Sequence, residues 1–201
     1  MIDIDKKAAL VVIDVQTGFD DPKWFGVGAR NNPSCEGNVI ALMDAWEATG
    51  RPIVVVRHDS TKPDSPLSPN NPGNRLKPGI EGRKAALLIS KSVHSAFHGK
   101  PDLDAWLKAQ GIGQLVISGI MTNRCCETTT RVGADLGYDV LFAVDATHTF
   151  DTKGPDGKVV TAADLTRATL ASLHEEFARI VRTAEIVASA TKGANTSSVG
   201  G

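Results

Sequence analysis

Short, almost unbroken runs of apolar and β-branched residues alternate along this chain with longer stretches in which apolar positions recur every three or four residues. The first pattern predicts buried strands over 8–14, 52–57, 85–90, 114–118 and 139–144, with a short one over 178–182. The second predicts helices over 36–49, 103–110, 123–136, 162–175 and 184–189. Strand and helix in alternation indicate βαβ units and a mostly parallel α/β sheet. Because the strand runs are apolar throughout, both faces of that sheet are expected to be covered by helices. Gly50, Gly111 and Gly137 stand just past helical patterns, where a left-handed residue closes the last turn.

Two segments fall outside this alternation. Residues 61–82 carry five prolines and three glycines, and an irregular stretch of that length is read as a lid or an interface arm. Residues 17–34 place Phe19, Trp24 and Phe25 among glycines and prolines directly after the first strand, which suits a substrate wall or an anchor into the core. The chain of 201 residues is expected to form one domain over 1–191, followed by a small, polar, flexible tail over 192–201.

Charge and composition narrow the partners. A net charge of -1 gives no concentrated basic field for nucleic acid or anionic lipid, so a small molecule is the expected ligand. No apolar run approaches the length of a membrane span. Three cysteines, two of them adjacent, suit a reducing compartment rather than a disulfide framework, and a cytoplasmic location is expected.

Reactive side chains then cluster at strand ends. Asp14 closes the first strand, Lys91 follows the third, and Cys125 opens a helix after the fourth. Carboxyl ends of parallel strands form the edge where ligands bind, so these three groups can converge on one site. A thiol at a helix N-terminus is favoured as thiolate, which makes Cys125 the expected nucleophile with a lowered pKa; Cys126, one residue on, is expected to face the core. Cys35 has no evident role. His94 and His98 have a metal-compatible spacing, but nothing between them supplies a catalytic acid, and no metal site is expected there. Neither Gly26-Val27-Gly28 nor Gly111-Ile112-Gly113 follows a strand and opens a helix with a third glycine, so a dinucleotide loop is excluded.

The runs Val12-Ile13-Asp14-Val15-Gln16 with Phe19, Lys91-Ser92-Val93-His94-Ser95-Ala96-Phe97 and Gly119-Ile120-Met121-Thr122 through Cys125 occur in an order that resembles the isochorismatase-like cysteine hydrolase superfamily, over nearly the whole chain. The resemblance implies a three-layer, Rossmann-like fold with a six-stranded parallel sheet, a homodimer or homotetramer, and a catalytic triad of Asp14, Lys91 and Cys125. It also implies a cis peptide at Ile120–Met121 and an oxyanion hole built from the backbone N–H groups of Met121 and Cys125. Substrate-binding positions are expected at Phe19, Trp24, Arg57, His58, Phe97 and Thr122, with Arg57 or His58 either meeting a polar substrate group or tying down the long loop.

Nicotinamidases of this superfamily hold a metal with an aspartate and histidines. This chain offers Arg57-His58-Asp59-Ser60 without the matching later histidine, so neither a metal nor another cofactor is expected. The implied activity is cleavage of a C–N bond in a small amide, ureide or carbamoyl compound through a thioester. Two other readings remain at this stage: vinyl-ether hydrolysis of the isochorismatase type, whose specialised members tend to lack the cysteine, and a non-catalytic redox-sensing or ligand-binding role.

Overall fold

The computed structural model describes residues 2–21, 27–28 and 30–192. Six strands form one parallel sheet: β1 (Ala9–Ile13), β2 (Ile53–His58), β3 (Leu87–Lys91), β4 (Gln114–Ile120), β5 (Asp139–His148) and β8 (Arg179–Val181), in spatial order β3-β2-β1-β4-β5-β8. The short strands β6 (Thr152–Lys153) and β7 (Val159–Val160) pair as a separate antiparallel ribbon that the hydrophobic pattern does not signal.

Alternation along each strand sorts the core into two layers. Leu10, Val12, Val55, Val116 and Leu141 face α1 (Cys35–Ala48) and α5 (Thr183–Lys192), packing on Val39, Leu42, Met43, Trp46 and Ile186. Ala9, Val11, Ile13, Val54, Ile117 and Phe142 face the other way, toward α2 (Leu103–Gln110), α3 (Glu127–Asp135) and α4 (Ala162–Leu173). Strands buried on both faces have no polar side to show, which is why they read as unbroken apolar runs.

Local chemistry fixes the helix ends. The Asp102 carboxylate accepts from the Ala105 N–H at 3.0 Å to start α2, and Gly111, at φ +64°, closes it with its N–H on the last carbonyls. Thr161 starts α4 by accepting from the Asp164 N–H at 3.1 Å. Lys192 is the last residue of α5, so the helix takes in the first position of the expected tail; 193–201 lie outside the described residues.

Strand β5 runs four residues past its expected end. Its polar last turns are held by Asn32, whose amide donates to the Asp145 and Thr147 carbonyls, by Asn38 on the Asp145 carbonyl, and by Thr183 on the Asp145 carboxylate. The β4–β5 register shifts between Ile117 and Gly119, so the long end of β5 lies beside the end of β4. Gly119 has φ +120°, and a Cβ there would lie 2.0 Å from the Ile13 carbonyl oxygen, so β1 and β4 approach as only glycine allows.

The 61–82 segment is packed against its own domain and is not a mobile lid. Leu67 and Ile80 are buried in the core, and Asn74 is buried with its amide donating to the His58 and Leu67 carbonyls and to the Asp59 carboxylate. Gln16 clamps it from the β1 side, donating to the Asn74 and His58 carbonyls while accepting from the His58 N–H. Backbone polar groups that would need water in a mobile loop are here satisfied by protein, which makes the segment a packed wall.

Candidate active site

The sheet reverses direction of winding at β1, whose neighbours are β2 and β4, and the reactive groups gather at the carboxyl ends flanking that point. Asp14 is the first residue past β1, in a left-handed conformation at φ +53°. Lys91 ends β3, and Cys125 lies in a five-residue π-turn (Thr122–Cys126) that joins β4 to α3. The Ile120–Met121 peptide is cis.

Lys91 binds the group together. Its ammonium donates to Asp14 Oδ2 at 2.6 Å and to Cys125 Sγ at 3.4 Å, and lies 3.2 Å from His58 Nδ1. An ammonium has three hydrogens, so these three partners exhaust it. The third contact assigns His58 as neutral, with Nδ1 accepting and its proton on Nε2. Burial, reinforced by the Lys91 charge, pushes the His58 pKa down in agreement with that assignment. Both side chains of the Asp14–Lys91 pair are fully buried. Burial works against the Lys91 charge, but Asp14 and Cys125 overcome it and raise its pKa. Asp14 Oδ1 is buried with no hydrogen-bond partner among the described residues.

The thiol is not the preformed thiolate its helix-start position suggests. Burial and then the Asp14 carboxylate push the Cys125 pKa up to about 12 against the pull of Lys91. Burial is the larger cause, and Lys91 cannot offset it because the carboxylate takes the closest part of its charge, so the thiol keeps its proton. Cys126 is completely buried among the residues facing α2, α3 and α4, with its pKa also raised by burial, as its expected core position requires.

A cavity of about 70 Å³ opens onto this cluster. Phe19, Leu67 and Met121 form apolar walls, Asp14, Cys125 and His58 supply reactive and polar groups, and Arg124 and His94 complete the lining. Phe19 lines the cavity and stacks on Phe150 at 6.5 Å. Trp24 lies outside the described residues.

Three other expected substrate contacts are placed elsewhere. Arg57 pairs with Asp59 at 2.9 Å, and Asp59 in turn accepts from Asn74, so Arg57 braces the long loop and is not among the cavity's lining residues. Phe97 stacks on Tyr138 at 5.8 Å and abuts Gly133 of α3. Thr122 is buried with its hydroxyl donating to the Thr147 hydroxyl at 2.9 Å, a cross-tie between the ends of β4 and β5. Leu67, His94 and Arg124 line the cavity without having been singled out as ligand contacts. The available signal for Arg124 was a cation immediately before the thiol in a run otherwise free of charge.

The donor atoms of Asp14, His58 and Cys125 lie within 4.8 Å of one another, a spacing a metal ion could use. Lys91 makes the fit poor, because its ammonium is within hydrogen-bonding distance of all three donors and a cation among them would face a fixed positive charge. Asp59 is already committed to Arg57, Ser90 and Asn74. A larger cleft of about 610 Å³ lies near the amino end of β2, lined by Lys6, Arg51, Lys84 and Trp106 among others, and contains none of the strand-end groups.

No helix among the described residues is long and apolar enough to cross a membrane. Comparison with known proteins agrees with the fold. The family described as Isochorismatase domain matches residues 8–185. The isochorismatase family protein YrdC of Bacillus subtilis is 35% identical over 184 residues, covering 92% of this chain and 96% of its own. Nicotinamidase 3 of Arabidopsis thaliana is 28% identical over 189 residues, with 88% and 85% covered. A crystal structure of an isochorismatase-family protein from Chromobacterium violaceum superposes with a TM-score of 0.87 at 36% identity, covering 94% of this chain and 96% of that one. With its three-layer fold and a family match over almost its whole length, the chain belongs to the isochorismatase family of hydrolases.

Proposed function

We propose that the protein is a metal-independent cysteine hydrolase that opens a C–N bond of a small amide, ureide or carbamoyl compound through a thioester on Cys125. The observation that carries this reading is the shared ammonium: Lys91 holds Asp14 and the Cys125 sulfur together in a buried site, while one Asp14 oxygen has no partner among the described residues. That oxygen is the acceptor left for the thiol proton.

The steps balance as follows. Cys125 Sγ forms a bond to the carbonyl carbon as its proton passes to Asp14, and the carbonyl electrons move onto oxygen. The N–H groups of Met121 and Cys125 are the proposed oxyanion donors; the Met121 carbonyl accepts the amides of Arg124 and Cys126, on either side of Cys125. Collapse breaks the C–N bond while Asp14 returns its proton to the leaving nitrogen, giving a thioester and a free amine or ammonia. Water then gives a proton to Asp14 and adds to the thioester carbon, and the departing sulfur recovers that proton. Lys91 stays charged throughout, and its attraction for the thiolate replaces its attraction for the carboxylate when Asp14 is protonated. A thiol with a raised resting pKa suits this cycle, since the proton leaves only as the new bond forms.

The vinyl-ether alternative needs protonation and water attack but no nucleophile, so it leaves the Lys91–Cys125 contact without a role. A panel of small amides, ureides and isochorismate, quenched in acid and analysed by mass spectrometry, tests the proposal. An acyl adduct confined to the Cys125 peptide, released by hydroxylamine, is the expected result. Turnover that survives Cys125→Ala, or that is lost on chelation and restored by zinc or iron, would overturn it.

A further inference from the structure

We infer that Arg124 is an anchor for a carboxylate on the substrate, so that the compound hydrolysed is an amide, ureide or carbamoyl derivative bearing a free acid close to the scissile carbonyl. This rests on the hydrolase reading of the same cavity and names its substrate class. Arg124 precedes the thiol by one residue and lines the cavity. Six arginines of the described residues are half-buried, and five of them have partners: Arg30 on Glu36, Arg51 on backbone carbonyls, Arg57 on Asp59, Arg83 on Asp44 and Glu47, and Arg131 on Glu127. The Arg124 guanidinium has none among the described residues.

Charge inside the cavity leaves that guanidinium uncompensated. Asp14 is the one carboxylate among the lining residues, and its bond to Lys91 cancels a buried positive charge. His58 is neutral in its contact with Lys91, and neither His94 nor the apolar walls supply an anion to answer Arg124. A partly desolvated guanidinium beside a ligand cavity is best satisfied by a planar anion that accepts two parallel hydrogen bonds, which is the geometry of a carboxylate. The small cavity and the adjacency of residues 124 and 125 require the acid to sit only a few bonds from the carbon that Cys125 attacks.

Alkylation with two reagents of nearly equal size tests the anchor apart from turnover. Iodoacetate carries a carboxylate where iodoacetamide carries a neutral amide, and the rate of each at Cys125 is read by mass spectrometry in wild type, Arg124→Gln and Arg124→Lys. Any change in thiol pKa affects both reagents alike and cancels in their ratio. Arg124→Gln is expected to lower the iodoacetate-to-iodoacetamide ratio roughly 10- to 100-fold, the loss appropriate to a charge-assisted pair, with Arg124→Lys in between. Propionate should protect the wild-type thiol from iodoacetamide and fail to protect Arg124→Gln. An unchanged ratio in folded Arg124→Gln would overturn the inference, even if neutral amides still acylate Cys125. A lowered ratio with no amide of either kind acylating Cys125 would keep the anion anchor and overturn the hydrolase reading.

Discussion

Two charge clusters in this molecule are each built on a buried lysine that holds a carboxylate, and they differ in what else that lysine and carboxylate meet. Around Lys77, the ammonium donates to Asp20 at 2.7 Å and to Glu36 at 2.6 Å, and Arg30 covers both Glu36 oxygens. Burial alone would raise the Glu36 pKa, but the bonds from Arg30 and Lys77 overcome it and hold the carboxyl down at about 2. Around Lys91, the ammonium serves a carboxylate, an imidazole and a thiol, and one carboxylate oxygen is left over. In the first cluster both Glu36 oxygens are engaged, so that carboxylate cannot take up a proton without losing a bond. The Asp14 oxygen that has no partner among the described residues gives the second a carboxylate able to accept a proton, which Glu36 in the first is not.

The largest expected effect sharpens that contrast. Asp14→Asn should reduce kcat by roughly 10³-fold or more, as removal of a general base and nucleophile-activating group does. The same variant should speed iodoacetamide alkylation of Cys125 at fixed pH, because the carboxylate that raises the thiol pKa is gone and Lys91 is released to the sulfur. Each unit of lowered pKa is worth up to tenfold in thiolate. Slower alkylation in Asp14→Asn would show that the carboxylate activates the resting thiol directly.

Glu36→Gln should leave kcat within about 3-fold and lower stability by roughly 1–3 kcal/mol, since it leaves buried cations short of an anion. Its pH dependence has a definite sign. The folded pKa of about 2 lies below the ordinary 4.5, so the Glu36 contribution is present above about 4.5 and is lost as pH falls toward 2. Denaturant titrations across that window should show wild type losing its advantage over Glu36→Gln. A constant gap down to pH 2 would mean the cluster is not held by the Glu36 charge.

The smallest effect separates the adjacent thiols. Cys126→Ala should keep most activity and lose about 1 kcal/mol to the small cavity it leaves, seen as a shift of about 2–4 °C in Tm. If Cys126→Ala were inactive and Cys125→Ala active, the pairing of Lys91 with Cys125 would not be the reacting contact.

Much of this was legible because periodicity reports the faces of regular elements. Asp14 and Lys91 could be placed at one edge from the apolar runs that precede them, and Cys126 follows from the pattern of the next helix. Phe97 could not, because it lies on a short 3-10 turn (Ala96–His98), where strand periodicity no longer says which way a ring points. The tie of Thr122 to Thr147 is not legible in the sequence, because Thr147 belongs to the polar extension of β5, which side chains from distant loops stabilise. The 61–82 segment looked like a lid for the same reason: its proline-rich composition is visible, but the clamp from Gln16 and Asn74 depends on contacts up to 58 residues apart in the chain.

Gly119 lines neither the small cavity nor the larger cleft and carries no reactive atom, yet it decides what a library of variants of this protein will tolerate. An alanine methyl there would meet the Ile13 carbonyl at 2.0 Å, and the residue that follows Ile13 is Asp14. Relief by parting β1 from β4 would carry the carboxylate away from the sulfur that β4 delivers. In a saturation-mutagenesis screen scored separately for abundance and for turnover, position 119 should be intolerant on both scores, whereas Asp14→Asn should stay abundant and fail only on turnover. A residue of no chemistry is thus the spacer that brings the base and nucleophile into register, and any transplant of this centre onto another sheet has to carry the glycine with it.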